Sequence, residues 1–163
     1  MSNSSIDKFN FLFNEFLDKI INTFPNSKLK SYKKGFLVLK LTSPTTPVNL
    51  FMAGCIQYKS EIKTRHESFF IKSGDVKNAV NNFGGNFTDD CGLAFYWDKF
   101  SETTKTAIWD YMQSLFMLGE IVIKQNPAEF TRFSNLYSGD YKKEISELDG
   151  DNFSIEFLSK INS

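Results

Sequence analysis

The side chains that could perform chemistry in this chain of 163 residues are few and lie far apart in sequence. His66 is the only histidine, and the two cysteines, Cys55 and Cys91, do not form a Cys-x-x-Cys pair. A catalytic triad needs a base beside its nucleophile, and a tetrahedral zinc site needs four suitable ligands. No spacing in the sequence supplies either set, so we expect no catalytic residues, no metal and no cofactor, and we interpret the protein as non-enzymatic.

Glu120 is the most unusual carboxylate, because it lies within the apolar stretch LFMLGEIVI at 115–123. An ionised carboxylate in apolar surroundings is costly unless a cation pairs with it. We therefore predict a structural ion pair for Glu120, with Arg65 or a lysine from the basic segment defined below as its partner. A catalytic role would need a second acid, a nucleophile or a metal set, and the neighbouring sequence contains none of these.

Two glycine-containing segments have the composition of ligand-binding loops but lack the residues that such loops need. Residues 81–92, NNFGGNFTDDCG, have no Walker lysine and no nucleotide-binding glycine spacing. Residues 149–152, DGDN, are not followed by the glycine and glutamate that an EF-hand requires. We interpret the first as a loop and the second as a turn.

The net charge of zero conceals an uneven distribution of charge along the chain. Residues 25–80 hold ten basic and three acidic groups, an excess of +7 that the rest of the chain cancels. We call residues 28–77 the basic segment, and it could form a patch that contacts phosphates, an acidic protein surface or a nuclear import receptor. The candidate contact residues are Lys28, Lys30, Lys33, Lys34, Lys40 and Arg65.

Two other interpretations of the basic segment remain open. Its lysines could simply form the solvated face of an amphipathic helix. The segment could also bind nucleic acid, but the chain has only two arginines, Arg65 and Arg132, and arginine is the usual reader of guanine. Any binding to DNA would then be electrostatic, sensitive to salt and indifferent to sequence.

The elements that must position these residues follow from apolar residues at helical spacing. The spacing predicts helices over 6–24, 28–41, 46–56, 101–124 and 127–137. The first should end at Phe24-Pro25, because the residue before a proline is pushed out of the helical region. Ser101 and Glu102 suit the start of the longest helix. That helix contains Trp109 and has apolar residues on more than one face, so we expect it to be central.

Other segments are less regular. Residues 61–67 could form a helix or a loop, residues 68–71 a strand or a packed turn, and a brief helix should end near 82. Residues 140–163 read as an acidic C-terminal extension. The length and the apolar fraction of 41% favour one all-α domain over residues 1–163, a compact multi-helix bundle.

The sequence also bears on the compartment. Residues 1–7 lack the charged and apolar regions of a secretory signal, and two isolated cysteines cannot build a disulfide framework. The longest apolar run, 115–123, is interrupted by Gly119 and Glu120 and is shorter than the roughly 20 residues that span a bilayer. We expect reduced thiols, a cytosol-like compartment and no membrane span.

Three stretches resemble a family of small helical proteins encoded by nucleocytoplasmic large DNA viruses, including marseilleviruses and other giant viruses. They are FNEFLDKIINTFP at 13–25, IKTRHESFFI at 62–71 and WDKFSETTKTAIWDYMQSLFMLGE at 97–120. The resemblance covers roughly residues 10–124, and its most specific part is the helix that contains Trp109. It implies a viral product made in infected host cells, with no agreed enzymatic activity.

These observations support two hypotheses about function. The leading one is a non-enzymatic viral accessory protein that binds a host or viral protein through a basic helical surface, with a homodimer as one possible assembly. The resemblance implies a location in the virion, the host cytoplasm or the host nucleus. The alternative is a module that binds DNA or chromatin non-specifically through the basic segment.

Overall fold

The computed structural model describes residues 4–23, 27–67, 100–137 and 145–146. Within them the chain forms α1 (Ser4–Thr23), α2 (Ser27–Thr42), α3 (Thr46–Cys55), a 3-10 turn (Ile56–Tyr58), α4 (Lys59–Thr64), α5 (Glu102–Gln125) and α6 (Pro127–Tyr137). No strand occurs in these described ranges. The prediction of an all-α fold is therefore confirmed.

The predicted helices agree with the observed ones to within about two residues at each end. The Ser101 side chain accepts a hydrogen bond from the Thr104 backbone N–H at 3.1 Å and so caps the start of α5, as the sequence predicts. A proline occupies the first turn of α3, where its missing N–H costs no helical hydrogen bond. Residues 61–67, which the sequence leaves open between helix and loop, are partly helical. α4 ends at Thr64, and Arg65 follows it in a left-handed conformation.

α5 is the central helix, as predicted. Every residue from Met112 to Glu120 is buried, so this helix has no solvent-exposed face over more than two turns. Its neighbours are α1, α3, α4 and α6. A helix that is covered all round must be apolar or have its polar groups satisfied inside the fold.

Phenylalanine rings fill the layer between α1, α2 and α3. Phe13 of α1 meets Phe36 of α2 edge to face, with ring centroids 5.0 Å apart. Phe9 of α1 meets Phe51 of α3 in the same way at 5.5 Å. Such pairs add about 0.5–1.5 kcal/mol to the effect of burial. The periodic phenylalanines of the sequence are thus core residues.

α3 and α5 approach closely at a glycine. A Cβ atom built on Gly119 would lie 2.6 Å from Cγ of Met52, a side chain of α3 that is fully buried. A side chain at this position would force the buried Met52 side chain to move, so Gly119 leaves room for Met52 between the two helices. The neighbouring residue, Glu120, is held in the same buried layer.

Several predictions fall outside the described residues. They concern the strand or turn at 68–71, the helix near 75–82, the loop at 81–92 and most of the C-terminal extension at 140–163. Residues 145–146 are helical.

Candidate partner-binding surface

The outward side of α2 carries both cationic and apolar side chains. We call it the α2 outer face, and its members are Lys30, Lys34, Leu37, Val38 and Leu41. They lie at spacings of three, four and seven residues, which places them on one side of a helix. Val38 is 60% exposed and Leu41 is 83% exposed.

The opposite side of α2 holds the helix in the bundle. Phe36 is fully buried, and Tyr32 is packed against the core. Lys33 lies at the boundary, where it forms an ion pair with Asp18 of α1. Lys40 is half-buried. These contacts fix the rotation of α2, and so they fix which residues form its outer face.

The predicted candidate cations therefore separate into different groups. Lys30 and Lys34 share the α2 outer face, whereas Lys33 is engaged with Asp18. Lys28 lies in the first turn of α2, but its side chain is outside the described part of the structure.

Arg65 performs a structural task at the end of α4. Its Nε and one terminal nitrogen donate hydrogen bonds to Gln113 Oε1 at 3.0 and 2.8 Å, and the same terminal nitrogen contacts Asp110. Arg65 has a φ of 55°, a left-handed conformation that costs free energy in a residue with a side chain. Its bonds to α5 compensate for that cost, so Arg65 belongs to the fold and not to the α2 outer face.

Gln113 completes this connection between α4 and α5. It is 5% exposed, and its Nε2 donates to the backbone carbonyls of Ile62 and Lys63 at 3.1 and 3.0 Å. These carbonyls belong to the last turn of α4, where carbonyls lack partners within the helix. One buried amide thus binds both the end of α4 and the arginine that follows it.

Glu120 is buried and paired, but its partner is not Arg65. The side chain is 0% exposed, and Lys59 Nζ at the start of α4 lies 3.0 Å from Glu120 Oε2. Pairing of Glu120 with Arg65 is wrong because Arg65 lies at the other end of α4, beside Gln113 and about two turns along α5 from Glu120. The open alternative, a lysine from the basic segment, describes the observed pair.

The side chains that could act in catalysis differ in their exposure to solvent. Cys55 is buried at the end of α3, and burial raises the pKa of its thiol, which disfavours the nucleophilic thiolate. His66 is exposed beyond the end of α4. Glu120 has no exposed surface. Cys91 lies outside the described residues.

The apolar half of the α2 outer face is the feature that the sequence interpretation missed. The spacing of the α2 lysines predicts a polar side, but Leu37, Val38 and Leu41 continue that side toward the C-terminal end. Their spacing from Lys30 and Lys34 was the available signal. Phe11 of α1 is also exposed, at 71%, and lies out of phase with the buried residues of that helix.

The described ranges lack two further features that would bear on function. No helix among them is both long and apolar enough to cross a bilayer. No three histidine, cysteine, aspartate or glutamate side chains in those ranges gather where they could hold a metal ion.

Comparison with protein-family models, with curated proteins and with solved structures gives no match. The resemblance to proteins of large DNA viruses thus stays a prediction, and the α2 outer face is the feature of the described residues that bears most on function.

Proposed function

We propose that this protein is a non-enzymatic interaction protein that binds a protein partner through the α2 outer face. The observation that carries the proposal is the continuity of two exposed lysines with three exposed apolar side chains on one helix. Leucine and valine side chains lose free energy by facing water, about 1.5–3 kcal/mol for each one that could be fully buried. A partner that covers them recovers part of this free energy.

The charge of the α2 outer face indicates the chemistry of the partner. Lys30 and Lys34 lie toward the N-terminal end of α2, which has no acidic residue in its first turn. The positive end of the helix dipole therefore adds to the charge of Lys30, which lies in that first turn, whereas Lys34 lies near the middle of the helix. We infer a partner with an amphipathic helix whose apolar stripe lies beside acidic residues, because such a helix complements both halves of the face.

The resemblance to the viral family supplies the proposed setting. It favours a virion-packaged or host-directed accessory protein, acting in the virion, the cytoplasm or the nucleus of an infected cell. The partner would then be a host or viral protein, or a second copy of this chain. Mass spectrometry of purified virions tests the packaging part of the proposal.

Non-specific binding to DNA or chromatin is the weaker candidate. Lys33 and Arg65 are already paired with carboxylates of the fold, and the three apolar members of the α2 outer face offer nothing to a phosphate backbone. Contacts from Lys30 and Lys34 alone would give a salt slope of only about 1.8 on duplex DNA.

A selection experiment tests the proposed function. Acidic amphipathic helical peptides are selected from a display library against the full chain, and their dissociation constants are measured at two salt concentrations. Binding should weaken several-fold at higher salt and in the double variant Lys30→Gln/Lys34→Gln. The control Lys124→Gln removes an exposed lysine of α5 and should leave the affinity unchanged.

Three results would count against the proposal. One is enrichment of basic peptides in place of acidic ones. Another is equal loss of affinity in the control and the double variant. The third is a preference for duplex DNA or anionic vesicles over every selected peptide, which would favour a different class of partner.

A further inference from the structure

A pocket of about 170 Å³ opens between α1 and the N-terminal half of α5. It is separate from the α2 outer face and shares no residue with it. Its apolar walls come from Phe16 and Ile20 of α1, from Ile108 and Tyr111 of α5, and from Phe100 just before α5. Four of these five side chains are at least nine-tenths buried, and Tyr111 is half-buried.

Two of these wall side chains, Phe16 and Tyr111, are held in place by contacts within the fold. The rings of Phe16 and Tyr111 stack with centroids 4.9 Å apart and an interplanar angle of 23°. The Tyr111 hydroxyl donates a hydrogen bond to Glu15 Oε2 at 3.1 Å, so the ring is held at both its face and its hydroxyl. The pocket therefore exists before any ligand binds, as is usual for small-molecule sites.

The rim of the pocket is polar, and its one charged lining residue in the described ranges is a cation. Lys19 and Thr23 lie on the α1 side, and Thr103 and Thr104 lie on the α5 side. Lys19 is exposed and has no acidic partner among the described residues. Glu15, one turn before it, is engaged with Tyr111. Thr103 and Thr104 belong to the first turn of α5, whose positive end already has the carboxylate of Glu102 and the Ser101 cap beside it, so Lys19 is the cation that would select an anionic ligand.

We propose that this pocket binds a small amphipathic carboxylate, with its apolar chain between Phe16 and Ile108 and its carboxylate at Lys19. The volume resembles that of a dry cavity of about 150 Å³ that holds a benzene molecule, so a chain of about six to eight carbons fits it. The apolar walls exclude a strongly hydrated ligand body. The single cation at the rim selects the sign of the head group.

Calorimetric titration of the full chain with octanoate, 1-octanol and octylamine tests this site. Octanoate should bind most tightly, and octylamine should bind at least about tenfold more weakly. Lys19→Gln should weaken octanoate binding about tenfold and leave 1-octanol binding unchanged. Lys8→Gln removes another exposed lysine of α1 that does not line the pocket, and it should change neither affinity.

Filling the pocket gives the second part of the test. Ala107 is an exposed lining residue, so Ala107→Phe should occupy the space and weaken both octanoate and 1-octanol at least about tenfold. Thr103→Phe at the same rim provides a second filling variant if the first one fails to fold. Equal affinity for octanoate and octylamine, or unchanged binding in a folded filling variant, would overturn the proposal.

Discussion

Gln113 shows how a single buried amide can decide the position of a short helix. All four of its observed hydrogen bonds connect α5 to the end of α4 or to Arg65. Each bond contributes little on balance against water, but an unpaired buried group costs about 1–3 kcal/mol. Gln113 is therefore a polar residue on which the stability of the fold depends.

Replacement of Gln113 by alanine tests this role. Gln113→Ala removes the side-chain donor to the Ile62 and Lys63 carbonyls and the acceptor of two Arg65 hydrogen bonds, so the free energy of unfolding should fall by about 2–3 kcal/mol. Urea denaturation followed by circular dichroism measures it. The control Gln57→Ala changes an exposed glutamine and should alter stability by less than about 0.5 kcal/mol; similar losses in both variants would contradict the assigned role.

The pair of Lys59 and Glu120 makes a second prediction. Glu120→Gln removes the negative charge opposite Lys59, which is 20% exposed, and should destabilise the protein by about 2–4 kcal/mol. The double variant Lys59→Met/Glu120→Gln should lose less than the sum of the single variants. Asp18→Asn, in the more exposed pair with Lys33, should cost less than about 1 kcal/mol. An unchanged free energy of unfolding in Glu120→Gln would refute the stabilising role of the buried pair.

Tyr111 links the stability of the fold to alkaline pH. Burial, followed by the hydrogen bond and the charge of Glu15, raises the pKa of Tyr111 to about 12 from an ordinary value of 10.0. Because the folded state disfavours the phenolate, the stabilisation is complete below about pH 10 and is lost as the pH rises toward 12. The difference in urea midpoint between the wild type and Tyr111→Phe should therefore be smaller at pH 11 than at pH 8. A constant difference between the two proteins would show that Tyr111 does not titrate in this way.

At the scale of elements, the sequence predicts which segments are helical but not how they meet. Periodicity, the Ser101 cap and the prolines locate the helix ends. The partner of Glu120 could not be chosen in the same way, because the choice between Lys59 and Arg65 depends on the alignment of α4 against α5. That alignment arises from tertiary contacts such as those of Gln113.

The candidate site was predictable only in part for a related reason. The lysines of α2 are evident in the sequence, but the side of the helix that faces the core depends on Phe36 and on the pair of Lys33 with Asp18. Leu37, Val38 and Leu41 have the character of core residues, and only the packed structure shows that they face solvent. Local pattern alone does not separate a buried leucine from an exposed one.

The approach of α3 to α5 gives a prediction with an internal control. Gly119→Ala should gain about 1 kcal/mol from helix propensity but lose more through the contact with Met52, so the variant should be less stable than the wild type. At Gly35 of α2 an added Cβ atom has no neighbouring atom within 4 Å, so Gly35→Ala should show only the gain in stability from helix propensity. Thermal denaturation measures the melting temperature of both variants. A higher melting temperature than the wild type in both would contradict the close packing at Gly119.

At the scale of the whole molecule, the covered and uncovered helices have different tasks. α5 is surrounded by other helices, and inside the fold its Gln113 is hydrogen-bonded to α4 and its Glu120 is paired with Lys59. Among the described elements α2 packs against α1 and α3, and it exposes apolar groups on its outer face. Such exposed patches commonly mark interaction sites when they are contiguous. The uneven charge of the chain has a structural counterpart here, because the two exposed lysines of α2 adjoin this patch.

The most direct test of the account is the affinity of a selected acidic helical peptide for an apolar variant of the α2 outer face. Val38→Gln/Leu41→Gln replaces two exposed residues, so the fold should be retained and the dissociation constant should rise at least about tenfold. Ala128→Gln makes a similar change on an exposed position of α6 and should have no effect. Equal affinities for the wild type and the double variant would contradict the claim that α2 presents the binding surface.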